Sequence, residues 1–364
     1  MQIGITKKLA EKMKLEKFPQ MTEAGSIYTW RANISQSGRQ RILVFMNDAS
    51  RYVLVVQSPK VKTFQNLSEV FTETLRGALY MEQVNPTVID SYIDGLGSVT
   101  YVANSGKKET AWLNTACNNA WYSTNKYKDN ICQSVFTSHM NIGSNDNDTR
   151  AKPSKVFMEA LSNFGQPVKK CTAFDLTIRL KLSGNDAVRV IRVPANLTFS
   201  QLHIIIQQVY NWRDYHYSRF SFFENDDYDI FAEPIAELII DNGESEFRPE
   251  ARIMHDVRLA DYLPKWKKCI YYYDYGDGWE HHIEVAKIIE DYTSSEDLPQ
   301  ILFDSGDAPP EDVGGPGEFE EFLEIIENPQ HEEHGFMEEW AKEQWWKRFD
   351  FEKKARSLKS ALWW

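Results

Sequence analysis

The sequence predicts an α+β protein of two domains, each a small and mostly antiparallel sheet with helices packed against it. Three observations carry this. Short alternating apolar segments come in pairs around turn residues, and apolar stripes at helical spacing fall between those pairs. The polar stretch GSNDNDTRAKP, residues 143–153, separates two regions each long enough for its own core. The expected division is therefore a first domain over 1–142, a linker over 143–153 and a second domain over 154–364.

In the first region Thr6 is placed to cap a short helix reaching Leu15, with Leu9 and Met13 on one side. A strand over 26–34 follows. Segments 41–47 and 51–58 then flank the turn cluster Asn47, Asp48, Ala49 and Ser50, which predicts a hairpin. Phe64, Leu67, Val70, Phe71, Leu75, Ala78 and Leu79 recur at helical spacing and predict a core-facing helix. Pro86 opens a further helix that ends at Gly95, 99–103 alternates as a short strand, and Thr110 begins a helix containing Trp112 and Ala116.

The second region opens with Phe174, Leu176, Ile178, Leu180 and Leu182 in strict alternation, a half-buried strand that turns at 183–186 into a second one over 187–193. A helix over 200–211 places Leu202, Ile205, Ile206 and Val209 on one face, and 212–223 is read as the next strand. The order strand, strand, helix, strand is followed by a hairpin in YYYDYGDGWEHHIEV (271–285) and by C-terminal helices.

Two registers compete in that hairpin. A three-residue loop over 276–278 pairs Tyr275 with Trp279 and Tyr273 with His281, sends Trp279, His281, Ile283 and Val285 to the apolar face, and turns Asp274 outward beside Glu280. A four-residue loop over 275–278 pairs Asp274 with Trp279 and brings its carboxylate to the face of His281, because a one-residue slip exchanges the faces. The three-residue loop is the expected form.

Composition narrows the function classes. At 364 residues, 42% hydrophobic and 13% aromatic, the chain is globular and exceeds one ordinary core. No apolar run approaches the roughly twenty residues of a membrane helix, and MQIGITKKLAEKMK lacks the apolar centre of a signal peptide, so a cytoplasmic protein without a membrane partner is expected. Cys117, Cys132, Cys171 and Cys269 form no CxxC pair and read as reduced, packed thiols. Residues 1–150 carry a net +4 and residues 151–364 a net −16, so a nucleic-acid partner, if there is one, meets the first domain. No Walker loop, dinucleotide glycine motif or GxSxG elbow occurs.

The first region, through its TKKLAEKMK helix and VFMNDASRYVLVV hairpin, resembles a small bacterial domain family of unknown function over about 140 residues. In the second, FDLTIRLKL, SQLHIIIQQVYNW, YDYGDGWEHHIEV and PPEDVGGPGEFEEFLEIIENPQHEEH resemble the plasmid pRiA4b ORF-3-like family over about 172–350. Members of that family sometimes carry the description of insertion-element passenger proteins. The resemblance implies cysteines flanking PPED, but this chain has Ala308 and Val313 there, which removes a thiolate zinc site. A recombinase would further need a nucleophile among arginines and a basic DNA-binding segment, neither of which the acidic second half supplies.

The candidate site gathers His216, Asp274, Asp277, His281, Glu311 and Asp312. His281 is either a metal ligand, a general acid or base, or a hydrogen-bonded core histidine. Asp274 and Asp277 offer oxygens to a hard cation or fix the turn, and Glu311 and Asp312 either complete a carboxylate and histidine cluster or shape the PPED turn. His216, at a position the resemblance singles out, is the second histidine. His281, Asp274 and Asp312 are the metal-ligand candidates, with a divalent cation as the implied cofactor.

His203 reads as packed, and His331 with His334 as a helix-face metal pair or a solvated face. The aromatics Trp340, Trp345, Trp346, Phe349, Phe351, Trp363 and Trp364 are expected to pack on the sheet, the last two aside. The functional expectation is a bacterial recognition or regulatory protein of an accessory or mobile-element system, with an unidentified protein or nucleic-acid partner. The alternative is a metal-dependent hydrolase, including a nuclease, built on the carboxylate and histidine cluster.

Overall fold

The computed structural model describes all residues except 124–136, 138–139, 142–151, 225–232, 241–249, 295–297, 349–357 and 359–364. The chain divides into two compact units, Met1–Lys170 and Cys171–Trp364. The fold is α+β in both.

In the first unit a five-stranded sheet has the order β4-β3-β2-β1-β5, with β1 at Gln2–Ile5, β2 at Thr29–Ser37, β3 at Gln40–Asn47, β4 at Val53–Gln57 and β5 at Thr100–Ala103. The hairpin of β3 and β4 forms as expected around Asn47, whose side chain accepts from Ser50. Strand β1 was not expected, and it pairs in parallel with both β2 and β5, so half of this sheet's pairings are parallel. Parallel partners share no turn, and four residues containing two isoleucines leave too short a pattern to read.

Alternation on β3 divides two cores. Leu43 and Phe45 face Trp30, Phe71 and Tyr92 on one side, while Ile42, Val44 and Met46 face Leu113, Cys117 and Ala120 of helix Lys107–Ser123 on the other. The expected single helix over 64–79 is two, Val61–Gln65 and Leu67–Met81, and the Pro86 helix runs to Leu96 with Gly97 as its cap.

The unit boundary lies later than the sequence suggested. Helix Pro153–Leu161, assigned by sequence to the second domain, buries Phe157 against Trp30, Tyr52 and Tyr92. Its Ser154 hydroxyl meets the buried carboxylate of Glu82, which also accepts from the Tyr52 hydroxyl at 2.7 Å. Of the expected linker, 143–151 lies outside the described residues.

The second unit is an eight-stranded sheet ordered β10-β9-β8-β11-β12-β6-β7-β13. Its strands are β6 Cys171–Leu180, β7 Ala187–Pro194, β8 Ser218–Phe222, β9 Ala236–Ile239, β10 Arg252–Ile253, β11 Lys268–Tyr273, β12 Trp279–Tyr292 and β13 Gln300–Ser305. All pairings are antiparallel except β9 with β10. Helix Phe199–Tyr210 starts at a capping box of Thr198 with Gln201 and buries Leu202, Ile205, Ile206 and Val209 in the core of this unit. Only Ser218–Phe222 of the expected strand over 212–223 is extended. The residues before it form the loop that carries the site.

Candidate metal centre

The hairpin of β11 and β12 adopts neither anticipated register. Tyr273 pairs with Trp279 and Tyr271 with His281, which leaves a five-residue loop over 274–278. The reason is Asp274, which sits in the left-handed region at φ 53° while its Oδ1 accepts from the Gly276 N–H at 3.0 Å and its carbonyl from the Gly278 N–H at 2.7 Å. The parity of the three-residue loop is nonetheless kept, so Trp279, His281, Ile283 and Val285 are all buried. Asp274 does not point out beside Glu280: it is 7% exposed, its N–H donates to the Tyr217 carbonyl at 3.0 Å, and its Oδ2 faces His216.

His216 is delivered by the loop after helix Phe199–Tyr210. Asn211, the left-handed cap that ends the helix, and Asp214 both take positive φ. The Trp212 indole stacks on Tyr273 with ring centroids 4.9 Å apart, and the Tyr215 N–H donates to the Tyr273 hydroxyl at 3.0 Å. Asp214 is held from the helix, its Oδ1 2.8 Å from His203 Nε2 and its N–H donating to Gln207 Oε1 at 3.0 Å. His216 then packs edge-on against the Tyr273 ring at 5.7 Å.

The PPED turn supplies the third arm. Trp212 Nε1 donates to the Pro309 carbonyl at 2.9 Å and Trp346 Nε1 to the Ala308 carbonyl at 2.8 Å, which fixes the turn from both sides. Glu311 is buried and accepts from the Tyr273 hydroxyl at 2.5 Å and from Arg213 Nε at 2.9 Å. Burial and the adjacent Glu311 carboxylate push the Tyr273 phenol well above its usual range. Asp312 takes φ 60° and turns toward His216, and the Gly314 N–H donates to Asp277 Oδ2 at 3.0 Å.

His216, Asp274 and Asp312 therefore converge, with one donor atom from each lying within 4.8 Å of the others. His216 Nε2 is 3.1 Å from Asp312 Oδ1 and 3.5 Å from Asp274 Oδ2. Both distances suit an ion pair, yet the nitrogen, shielded from solvent, forms no directional hydrogen bond to either oxygen. One imidazole nitrogen with two carboxylate oxygens is a donor set suited to a divalent cation of the zinc or manganese type, bound at roughly 2.0–2.2 Å.

Asp277 borders this group, and its carboxyl is raised above the usual range, first by burial and then by the charges of Asp274 and Asp312, against the opposing Gly314 N–H.

Two expected members stand elsewhere. His281 is not in the cluster: its ring lies among Tyr210, Trp212 and Tyr271, and its Nδ1 is 3.2 Å from the Tyr271 carbonyl oxygen. Burial lowers its pKa to about 3, which keeps the imidazole neutral. Strand alternation puts it on the apolar face, and of the three readings the sequence left open its surroundings are those of a hydrogen-bonded core histidine. Glu311 is likewise an anchor of the turn, spent on Arg213 and Tyr273.

Among the other candidates, His203 bridges Tyr271 and Asp214 in the core, as a packed histidine should. His334 Nδ1 lies 3.0 Å from the Ile325 carbonyl oxygen and His331 Nδ1 accepts from the Glu333 N–H, so each ring is tied to nearby backbone through Nδ1. Cys117, Cys171 and Cys269 are in no disulfide among the described residues, and Cys132 lies outside them. Trp340 and Trp346 pack on the core and Trp345 is exposed, while Phe349, Phe351, Trp363 and Trp364 lie outside the described residues. Sequence reasoning missed Arg213, Trp212 and Tyr273 as the frame of the site. The NWRDYHYS run after the helix was the available signal, a polar and aromatic segment too irregular for the strand assigned to it.

Residues 172–355 match the model of the plasmid pRiA4b ORF-3-like protein family, about half of the chain. The chain belongs to that family. Residues 2–153 match a second model, a domain of unknown function designated DUF6933. A curated relative, the uncharacterized protein y4hQ of Sinorhizobium fredii, is 32% identical over 153 residues, which span 42% of this chain and 72% of that protein. A crystal structure of a protein of unknown function from Methanosarcina mazei is similar at 26% identity, covering 50% of this chain and 97% of its own, with a TM-score of 0.42. Among the described residues no helix is long and apolar enough to cross a membrane.

Proposed function

We propose that the protein is a cytoplasmic, metal-dependent recognition protein of a bacterial accessory system, and that its second unit holds one divalent cation between His216, Asp274 and Asp312. The observation that carries this reading is the His216 nitrogen, solvent-shielded and flanked by two carboxylate oxygens without a directional hydrogen bond to either. A cation between the three satisfies all of them at once, and offsets the repulsion of two adjacent carboxylates. Three ligands leave coordination positions for water or for an oxygen of a bound partner.

Metal analysis of protein purified without chelator, with thermal melts in manganese and zinc, tests the reading. Wild-type protein is expected to carry or take up metal and to melt higher with it, and His216→Ala to show neither effect. Equal melting of the two proteins in every metal overturns it.

Hydrolysis is the second reading, and Asp277 favours it. Its N–H lies 3.4 Å from Asp274 Oδ1 and its Oδ2 accepts from the Gly314 N–H, so its carboxylate stands next to the three ligands, where it would serve as a base toward water activated by a bound cation. Turnover of a phosphoester or amide that is lost in Asp277→Asn while metal uptake persists would establish it.

A further inference from the structure

The loops that carry His216 and Asp274 also carry exposed aromatic rings outside the hydrophobic core, and the Asp274 N–H joins the two loops at the Tyr217 carbonyl. Tyr215 and Tyr217 stand on either side of His216 in the chain, and Tyr275 follows Asp274; they are 66%, 51% and 41% exposed. Tyr217 and Tyr275 lie with ring centroids 6.3 Å apart at an interplanar angle of 33°. A guanidinium backs two of these rings, Arg213 over Tyr215 at 4.8 Å and Arg219 over Tyr275 at 4.8 Å.

Each arginine is fixed in turn by a carboxylate, Arg213 by Glu311 at 2.9 Å and Arg219 by Glu237 at 3.2 Å. Tyr215 and Tyr275 are thus each held by an ordered guanidinium and Tyr217 by its pairing with Tyr275, and all three keep area toward solvent. Such preorganised aromatic faces gain from stacking a planar base, with guanidinium and phenol rings already ordered before the ligand arrives.

We propose that this surface binds a mononucleotide, its base stacked on the tyrosine rings and its phosphate oxygens on the cation held by His216, Asp274 and Asp312. The proposal rests on the cation reading above. Stacking alone accepts any flat ring, and a cation alone accepts any hard anion; the two side by side select a ligand that carries both. Residues 151–364 have a net charge of −16, which one neutralised phosphate group tolerates and a long polyphosphate strand does not. A free nucleotide is therefore assigned here rather than a nucleic-acid strand, and the net charge of the first half leaves any strand contact to that region.

Calorimetric titration of the full chain tests this in four arms with manganese present: adenosine monophosphate, adenosine, inorganic phosphate and single-stranded oligodeoxyadenylate. The manganese titration is recorded first. Adenosine monophosphate is expected to bind at least about tenfold more tightly than adenosine or phosphate. Tyr217→Ala is expected to weaken it by about fivefold to a hundredfold, and Tyr217→Trp to retain it.

Adenosine monophosphate binding no better than phosphate, or unchanged in Tyr217→Ala, overturns the proposal and leaves the cation site standing. Oligodeoxyadenylate binding more tightly than the mononucleotide overturns the assignment to a free nucleotide. A silent manganese titration removes the cation reading and this proposal together.

Discussion

Gly315 rests against the backbone of Asp277: a Cβ at Gly315 would stand 3.0 Å from the Asp277 carbonyl oxygen, and Gly315 has φ 112°, where side chains are strained. With the Gly314 N–H on the Asp277 carboxylate, this contact docks the PPED turn on the hairpin turn and so brings Asp312 to Asp274. Gly315→Ala is expected to cost about 1–3 kcal/mol. Its denaturation midpoint should fall together with its manganese affinity. A variant as stable as wild type with full affinity would show that the two turns need no such contact.

Glu311 and Asp312 are neighbours with opposite roles, which substitution separates. Removing one partner of a buried ion pair costs about 3–5 kcal/mol. Arg213 stays partly in water, with its side chain 22% exposed, so Glu311→Ala is expected to fall below that range, at about 2–3 kcal/mol. Asp312→Asn, exposed and still able to adopt its left-handed turn, should stay within about 0.5 kcal/mol of wild type and yet lose the metal. Urea unfolding of both variants decides the matter, and equal stability of the two would contradict the assignment.

His281 makes the second unit sensitive to acid. Its pKa falls from an ordinary 6.5 to about 3 on burial, so between those values the unfolded chain binds the extra proton and the folded one does not. Stability from this group is complete above about pH 6.5 and declines as pH drops toward 3, with a slope of up to about 1.4 kcal/mol per pH unit. In His281→Phe that slope should shrink between pH 6 and pH 4 by about this amount. Parallel stability curves for the two proteins would mean that His281 takes up a proton in the fold.

The first unit should depend on residues beyond the polar stretch that sequence reading took as the boundary. Phe157 is fully buried among Trp30, Tyr52 and Tyr92, and Phe157→Ala is expected to cost about 3–5 kcal/mol. A fragment of residues 1–170 should therefore unfold cooperatively and one of 1–152 should not, as circular dichroism melts would show. We propose likewise that 171–364 folds alone. A stable, cooperative 1–152 fragment would restore the earlier boundary.

Much of the frame was legible because it is written in local periodicity. Alternation from Trp279 to Val285 fixed the buried face of β12, and the apolar stripe of Leu202, Ile205, Ile206 and Val209 marked the helix before His216. The site was harder, since its geometry depends on left-handed aspartates at 214, 274 and 312 that no pattern announces. It depends also on indole hydrogen bonds from Trp212 to Pro309 and from Trp346 to Ala308, contacts between residues 97 and 38 positions apart. His281 drew attention as the histidine of the motif, yet the strand that makes it conspicuous is what buries it. His216, in an irregular loop, carries the role.

The central claim is that His216, Asp274 and Asp312 together hold one cation, and Asp274→Asn isolates it. Asparagine keeps the carbonyl oxygen that accepts from Gly276 and tolerates the left-handed turn, so the hairpin survives while one charged ligand is lost. Calorimetric titration of manganese into wild type and Asp274→Asn is the direct measurement. The expected result is one ion per chain for wild type and affinity weakened by at least about a hundredfold in the variant, with both proteins melting alike when metal is absent. Saturable binding of one manganese ion with equal affinity in both proteins, or binding in neither, would contradict the claim.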